Sequence, residues 1–104
     1  MKARFGGLAA VATLTTAISS AGCGGALYSV QINGVASKVA EAKELGAEKL
    51  APYEYYYANE HLQKAMSEAS EGDYSDAIQF ADVAEEYANK AIQLSKEAHR
   101  GAGR

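Results

Sequence analysis

The chain of 104 residues has one cysteine, one proline and no tryptophan. A lone cysteine excludes an intrachain disulfide, so a domain this small has to be held by side-chain packing alone. One proline, and few β-branched residues after Gly34, argue against strands and for helices. Positive charge is also short, with 10 basic residues against 13 acidic ones. Removal of Met1–Gly22 would take two of the basic residues and none of the acidic ones, moving the net charge from −3 to −5. Nucleic-acid binding needs clustered positive charge, and adhesion to anionic lipid heads needs the same, so both are disfavoured. After Cys23 no stretch approaches the roughly 18 consecutive apolar residues of a membrane span. No serine stands in a Gly-x-Ser-x-Gly setting, and no loop alternates oxygen ligands as calcium requires. Neither His61 nor His99 has a second His, a Cys or a close carboxylate pair in the pattern to complete a metal or general-base site. The expectation is therefore no catalytic residue, no metal and no cofactor.

What is present begins at the amino terminus. Lys2 and Arg4 are followed by an uncharged stretch from Phe5, punctuated by Leu8, Val11, Leu14 and Ile18. Small residues Ala21 and Gly22 then precede Cys23. These are the three parts of a secretory signal. A cysteine directly after two small residues resembles the lipobox of bacterial lipoproteins. The resemblance implies cleavage between Gly22 and Cys23, a diacylglycerol on the Cys23 thiol and a fatty acyl group such as palmitate on the new amine. Ser20 departs from the Leu commoner at its position. Gly24, where Asp would retain the protein in the inner membrane, implies the outer membrane, facing the periplasm. An uncleaved membrane anchor, or secretion with a free thiol, are the alternatives. Two or three acyl chains hold a protein on a bilayer far better than one, so no further span is required.

The expected organisation is a signal segment at 1–22, a lipidated cysteine and flexible tether at 23–33, a helical domain at 34–100 and a disordered tail at 101–104. Gly24, Gly25 and Gly34 loosen the tether, although Leu27, Tyr28, Val30 and Ile32 offer apolar contacts to the domain or to lipid. A first helix over 34–50 places Val35, Val39, Ala42, Gly46 and Leu50 on one face. Pro52 suits the first turn of a new helix, so Ala51–Pro52 is read as a break. A helix over 52–70 buries Tyr55, Ala58, Leu62, Ala65, Met66 and Ala69, with Glu60 and Lys64 as a surface pair. Gly72 favours a left-handed closure and Asp73 an N-cap for a helix over 74–99. That helix carries an alanine stripe (Ala77, Ala81, Ala84, Ala88, Ala91) flanked by Phe80, Val83, Tyr87 and Leu94 on one side and Tyr74, Ile78 and Ile92 on the other. So wide an apolar arc calls for two neighbours. The fold class is all-α: an antiparallel helical hairpin completed to a small three-helix bundle, with the first helix packed across the hairpin.

The segment Gly72–Ala81, with Ala84 following and Ala65 before it, resembles the second half of a tetratricopeptide repeat. Lys64 and His61 depart from the Leu and Trp usual there, and the likeness covers one repeat at most, whereas a binding groove needs several. A wider likeness rests on Ala51-Pro52-Tyr53-Glu54-Tyr55-Tyr56-Tyr57-Ala58, Leu62, Ala65, the Gly72-Asp73-Tyr74 turn and the alanine-rich last helix. These look like a family of small uncharacterised envelope lipoproteins with a helical-hairpin domain of unknown function. In larger relatives a similar domain precedes a peptidoglycan-binding OmpA-like domain. This sequence stops at Arg104, so that wall contact is not expected of it. The family implies an envelope setting and a helical domain, and no activity.

Two readings remain for the tyrosines. Tyr53, Tyr56 and Tyr57 either lie over neighbouring helices with hydroxyls in water, or form part of a partner-binding patch, since Tyr is enriched in interface cores. His99, with Lys96 and Arg100, complements a negative helix end. Asp82, Glu85 and Glu86 read as a solvated acidic edge. The functional expectation is a lipid-anchored, non-catalytic interaction module whose partners are the bilayer, through acylated Cys23, and an envelope protein. Its contact surface would be Tyr53, Tyr56 and Tyr57 with the Phe80, Val83, Tyr87 and Leu94 edge. A self-associating structural protein is the alternative, and a metal-dependent or hydrolytic enzyme the weaker one.

Overall fold

The computed structural model describes residues 21–103, with side chains from Gly24 onward. Most of the leader expected at 1–22 lies outside the described residues, and so does the side chain of Cys23. The described chain is all-helical: α1 (Ala21–Glu44), α2 (Ala47–Leu50), α3 (Pro52–Ser70) and α4 (Tyr74–Ala102).

Helix α4 organises the bundle. Ala77, Ala81, Ala84, Ala88 and Ala91 are all fully buried, which lets two neighbours approach its axis closely. Those neighbours are α3 and α1, as the wide apolar arc required. Helix α3 contributes Tyr55, Ala58, Leu62 and Ala65, and α1 contributes Val35, Val39 and Ala42. The α3–α4 hairpin closes as expected. Gly72 sits at φ +83°, its amide donates to Ala69 O (3.0 Å), and the Asp73 amide donates to Glu68 O (2.9 Å). The Asp73 carboxylate then accepts from the Asp76 amide at 3.1 Å as the N-cap of α4.

Helix α1 runs parallel to α4 along its length, not across the hairpin. Its start meets Tyr74 through Gly24 and Gly25, and its end meets His99 through the Leu45 carbonyl. The expected flexible tether is instead the first half of α1. Tyr28 and Ile32 pack on the core, and the Tyr28 and Tyr74 rings lie 5.9 Å apart, so this stretch is docked despite its glycines. The expected helix over 34–50 is broken after Glu44: Gly46 adopts φ +86°, and the short α2 turns the chain. Leu50 is consequently exposed rather than buried. The break at Ala51–Pro52 stands where it was expected, with Ala51 out of helical geometry and Pro52 opening α3.

Three smaller expectations change. Met66 is 48 % exposed, at the edge of the face that buries Leu62 and Ala65. Lys64 pairs with Glu68 at 2.9 Å and not with Glu60, one turn in the other direction. The tail continues α4 to Ala102, the Gly103 amide closing the last turn on His99 O at 3.2 Å.

Candidate functional site

The spacing of α3 and α4 puts large side chains on the outer edges of their shared groove, since the groove floor is filled by alanines. Tyr53, Tyr57 and His61 follow one another at steps of four on α3 and share a face. Phe80, Val83 and Tyr87, at steps of three and four, share a face of α4. The two rows meet as a continuous aromatic seam. Tyr53 and Tyr57 lie 5.6 Å apart, and Tyr87 stands 6.1 Å from Tyr53 and 4.2 Å from Tyr57. His61 stacks on Tyr57 at 4.1 Å and reaches Phe80 at 6.1 Å. The tilted and edge-on arrangements of Tyr53 against Tyr57 and Tyr87 are favourable ones for aromatic pairs.

Two cations border the seam. Lys64 Nζ lies 5.7 Å from the Phe80 ring centre and Lys90 Nζ 4.5 Å from that of Tyr87. Each lysine also donates to a carboxylate one turn away on its own helix, Glu68 and Glu86 respectively, and that hydrogen bond holds its pKa above the ordinary value. The His61 ring Nδ1–H donates to Tyr57 O at 2.9 Å, which fixes the stacked ring and spends that nitrogen locally. Beyond His61 the seam opens into a shallow cleft of about 380 Å³ lined by His61, Asp76, Gln79, Phe80 and Val83.

The seam is half core and half surface. Phe80 and Tyr87 pack against the buried cluster, whereas Tyr53 is 63 % exposed. Five of the residues singled out in the sequence thus converge: Tyr53, Tyr57, Phe80, Val83 and Tyr87. Tyr56 does not join them; it lies edge-on to Tyr55 at 5.1 Å on another face of α3, half exposed. Leu94 lies seven residues beyond Tyr87 on the same edge of α4 and is partly exposed. His61 belongs to the seam as an aromatic ring, a role that its i+4 spacing from Tyr57 signals.

Tyr55 belongs to the core side of α3, and burial, reinforced by the nearby Glu48, raises its pKa. The opposite seam, between α1 and α4, is polar at its rim. Gln31 donates to Asp82, Lys38 pairs with Glu85 at 2.7 Å, and Lys96 reaches Glu41 at 3.7 Å. The acidic edge of α4 is therefore partly a latch for α1. His99 caps a helix end, but the end is that of α1: its Nε2–H donates to Leu45 O at 2.7 Å. Glu68, Asp73 and Asp76 bring carboxylate oxygens within 4.8 Å of one another, a proximity that only the α3–α4 turn creates. Asp73 is used there as the α4 cap and Glu68 by Lys64.

A family model described as Domain of unknown function (DUF4398) matches residues 31–101, most of the chain. The chain belongs to DUF4398. The matched DUF4398 segment holds the whole aromatic seam and the α1–α4 latch, and it begins after the first turns of α1. No curated protein and no solved structure matches the chain.

Proposed function

We propose that this DUF4398 protein is a lipid-anchored, non-catalytic interaction module of the bacterial envelope, fixed through acylated Cys23 and docking a protein partner on the α3–α4 seam. The observation that carries the docking half is the convergence of Tyr53, Tyr57, Phe80, Val83 and Tyr87 from two helices into one half-exposed surface bordered by Lys64 and Lys90. Interface cores are enriched in such rings, and energy concentrates on a few of them. The anchoring half rests on the Ser20-Ala21-Gly22-Cys23 sequence after a positively charged start and an uncharged stretch. Outer-membrane attachment facing the periplasm follows from Gly24 after the cysteine, by resemblance to lipoprotein sorting. No helix is long and apolar enough to cross a membrane among the described residues.

Two measurements test the reading. Intact mass of the protein from its own envelope is expected to show loss of Met1–Gly22 and gain of acyl groups; an unmodified thiol contradicts the anchor. A photo-crosslinking residue at Tyr53 is expected to yield a discrete adduct with another protein that the same residue at Met66 does not give. An adduct with the protein itself, together with concentration-dependent sedimentation, replaces docking by self-association. No adduct from Tyr53 sinks the seam as an interface.

A further inference from the structure

The first turns of α1 present an apolar line that the bundle does not use. Leu27 and Val30 are 66 % and 78 % exposed, although both are large and apolar. Helical spacing places positions 23, 27, 30 and 34 on one line, at steps of four, three and four. Tyr28, Ile32 and Val35 occupy the opposite line and face the core. Position 23, which the anchor reading acylates, thus falls by helical register on the same line as the two exposed apolar side chains. No charged residue occurs from Phe5 to Ser37, so no charge on this part of α1 opposes an apolar surface. Around α4, the positions that meet α1 (Tyr74, Asp82, Glu85) stand roughly 150° from Phe80, Val83 and Tyr87 at 100° per residue.

We infer that the outer face of the first three turns of α1 lies in the interfacial layer of a bilayer, with Leu27 and Val30 beside the acyl chains on Cys23. This rests on the anchor reading and deepens it. The bundle is then held on its α1 side, and the aromatic seam faces away from the membrane toward the periplasm. The lipid surface that fits is zwitterionic. Glu68, Glu71, Asp73 and Asp76 crowd the same end of the bundle, because Gly24 and Gly25 meet Tyr74, and they oppose anionic headgroups. Apolar contact without basic residues is weak by itself and gains from a covalent chain close by.

The test uses the full processed protein, purified from an envelope and reconstituted in phosphatidylethanolamine–phosphatidylcholine vesicles. With Cys23 acylated, Val30→Cys supplies the only free thiol for a nitroxide label, and Met66→Cys supplies the control on α3. Both sites are exposed, and circular dichroism checks that the helices persist. The Val30 label is expected to show a several-fold higher ratio of oxygen to nickel-chelate collisions than the Met66 label. Equal ratios with an acylated Cys23 in the intact mass overturn this inference and leave the anchor standing. Protection of the Val30 label from both reagents, with spin–spin coupling between labels, assigns the face to a second copy and overturns it too. An intact mass without acyl groups overturns both readings together.

Discussion

Helix α4 has two flanks built on opposite principles. Toward α1 its rim is polar: Asp82 and Glu85 take side chains from Gln31 and Lys38, Lys96 reaches back to Glu41, and His99 closes the end of α1. Toward α3 its rim is aromatic, with Phe80 and Tyr87 meeting Tyr57, His61 and Tyr53. Beneath both lies the same floor of buried alanines. Ion pairs at a rim fix which helix lies where without adding much stability, whereas half-exposed rings leave unspent apolar area. The polar flank is finished by its own chain; the aromatic flank is the one with surface to offer.

The sharpest way to break the contrast is to compare floor with rim. Leu62 is buried in the three-helix core, and Leu62→Ala is expected to cost about 3 kcal/mol. Tyr53→Ala, at the exposed end of the seam, is expected to cost under about 1 kcal/mol, with binding lost instead. Urea unfolding of both variants measures the difference. Equal costs would make the seam a piece of core and remove its claim as an interface.

The second test concerns the floor itself. Ser95 is fully buried on α4, and its hydroxyl has no hydrogen-bond partner among the described residues. An unpaired buried hydroxyl is a penalty, and alanine keeps the close helix approach. Ser95→Ala is expected to raise stability by about 1 kcal/mol, read as a shift of the urea midpoint at unchanged slope. A loss would show that the hydroxyl is bonded in solution.

Much of this was legible in the residues because the signals were local and redundant. Five alanines at steps of three and four left no other face for α4 to bury, and Gly72-Asp73 carried both a left-handed closure and a cap. Phe80, Val83 and Tyr87 emerged as large residues at the edge of that small-residue stripe, and Tyr53 and Tyr57 as two tyrosines four apart on one face. The start of α1 was not legible, since Gly24, Gly25 and Gly34 weaken helix propensity and contacts with the distant Tyr74 and with the core offset them. His99 illustrates the same limit: its position near the end of α4 suggested a cap for that helix, and its partner, Leu45, is 54 residues away. Met66 was misplaced because helical spacing gives an angle and not the distance to the next helix, whereas Tyr56 stands about 100° around α3 from Tyr57, an angle the spacing already gave.

Alkaline pH offers a milder probe of the core side of α3. Burial raises the pKa of Tyr55, and of Tyr28 on α1, above the ordinary value of 10.0. The folded state therefore holds these protons more tightly than the unfolded one. Their contribution is fully present below the unfolded value and is lost as pH rises through the folded one. Stability is expected to fall as pH climbs past about 10, and Tyr55→Phe is expected to flatten that fall. Denaturant midpoints taken across the alkaline range measure the slope; an unchanged slope in Tyr55→Phe would place Tyr55 in solvent.

The smallest effect is expected at the polar flank. Lys38 and Glu85 are 2.7 Å apart, but their side chains stay 35 % and 40 % exposed, so water and salt screen the pair. A double-mutant cycle with Lys38→Met and Glu85→Gln is expected to give a coupling of about 0.5 kcal/mol that shrinks in 1 M salt. The sharper readout is geometric. If the pair sets where α1 lies and adds little energy, the double variant keeps its urea midpoint while the Tyr28 environment against Tyr74 changes, read by near-ultraviolet circular dichroism or by ring proton shifts. A coupling above about 2 kcal/mol would instead mark the α1–α4 flank as an energetic interface, and the division of labour between the two sides of α4 would fall.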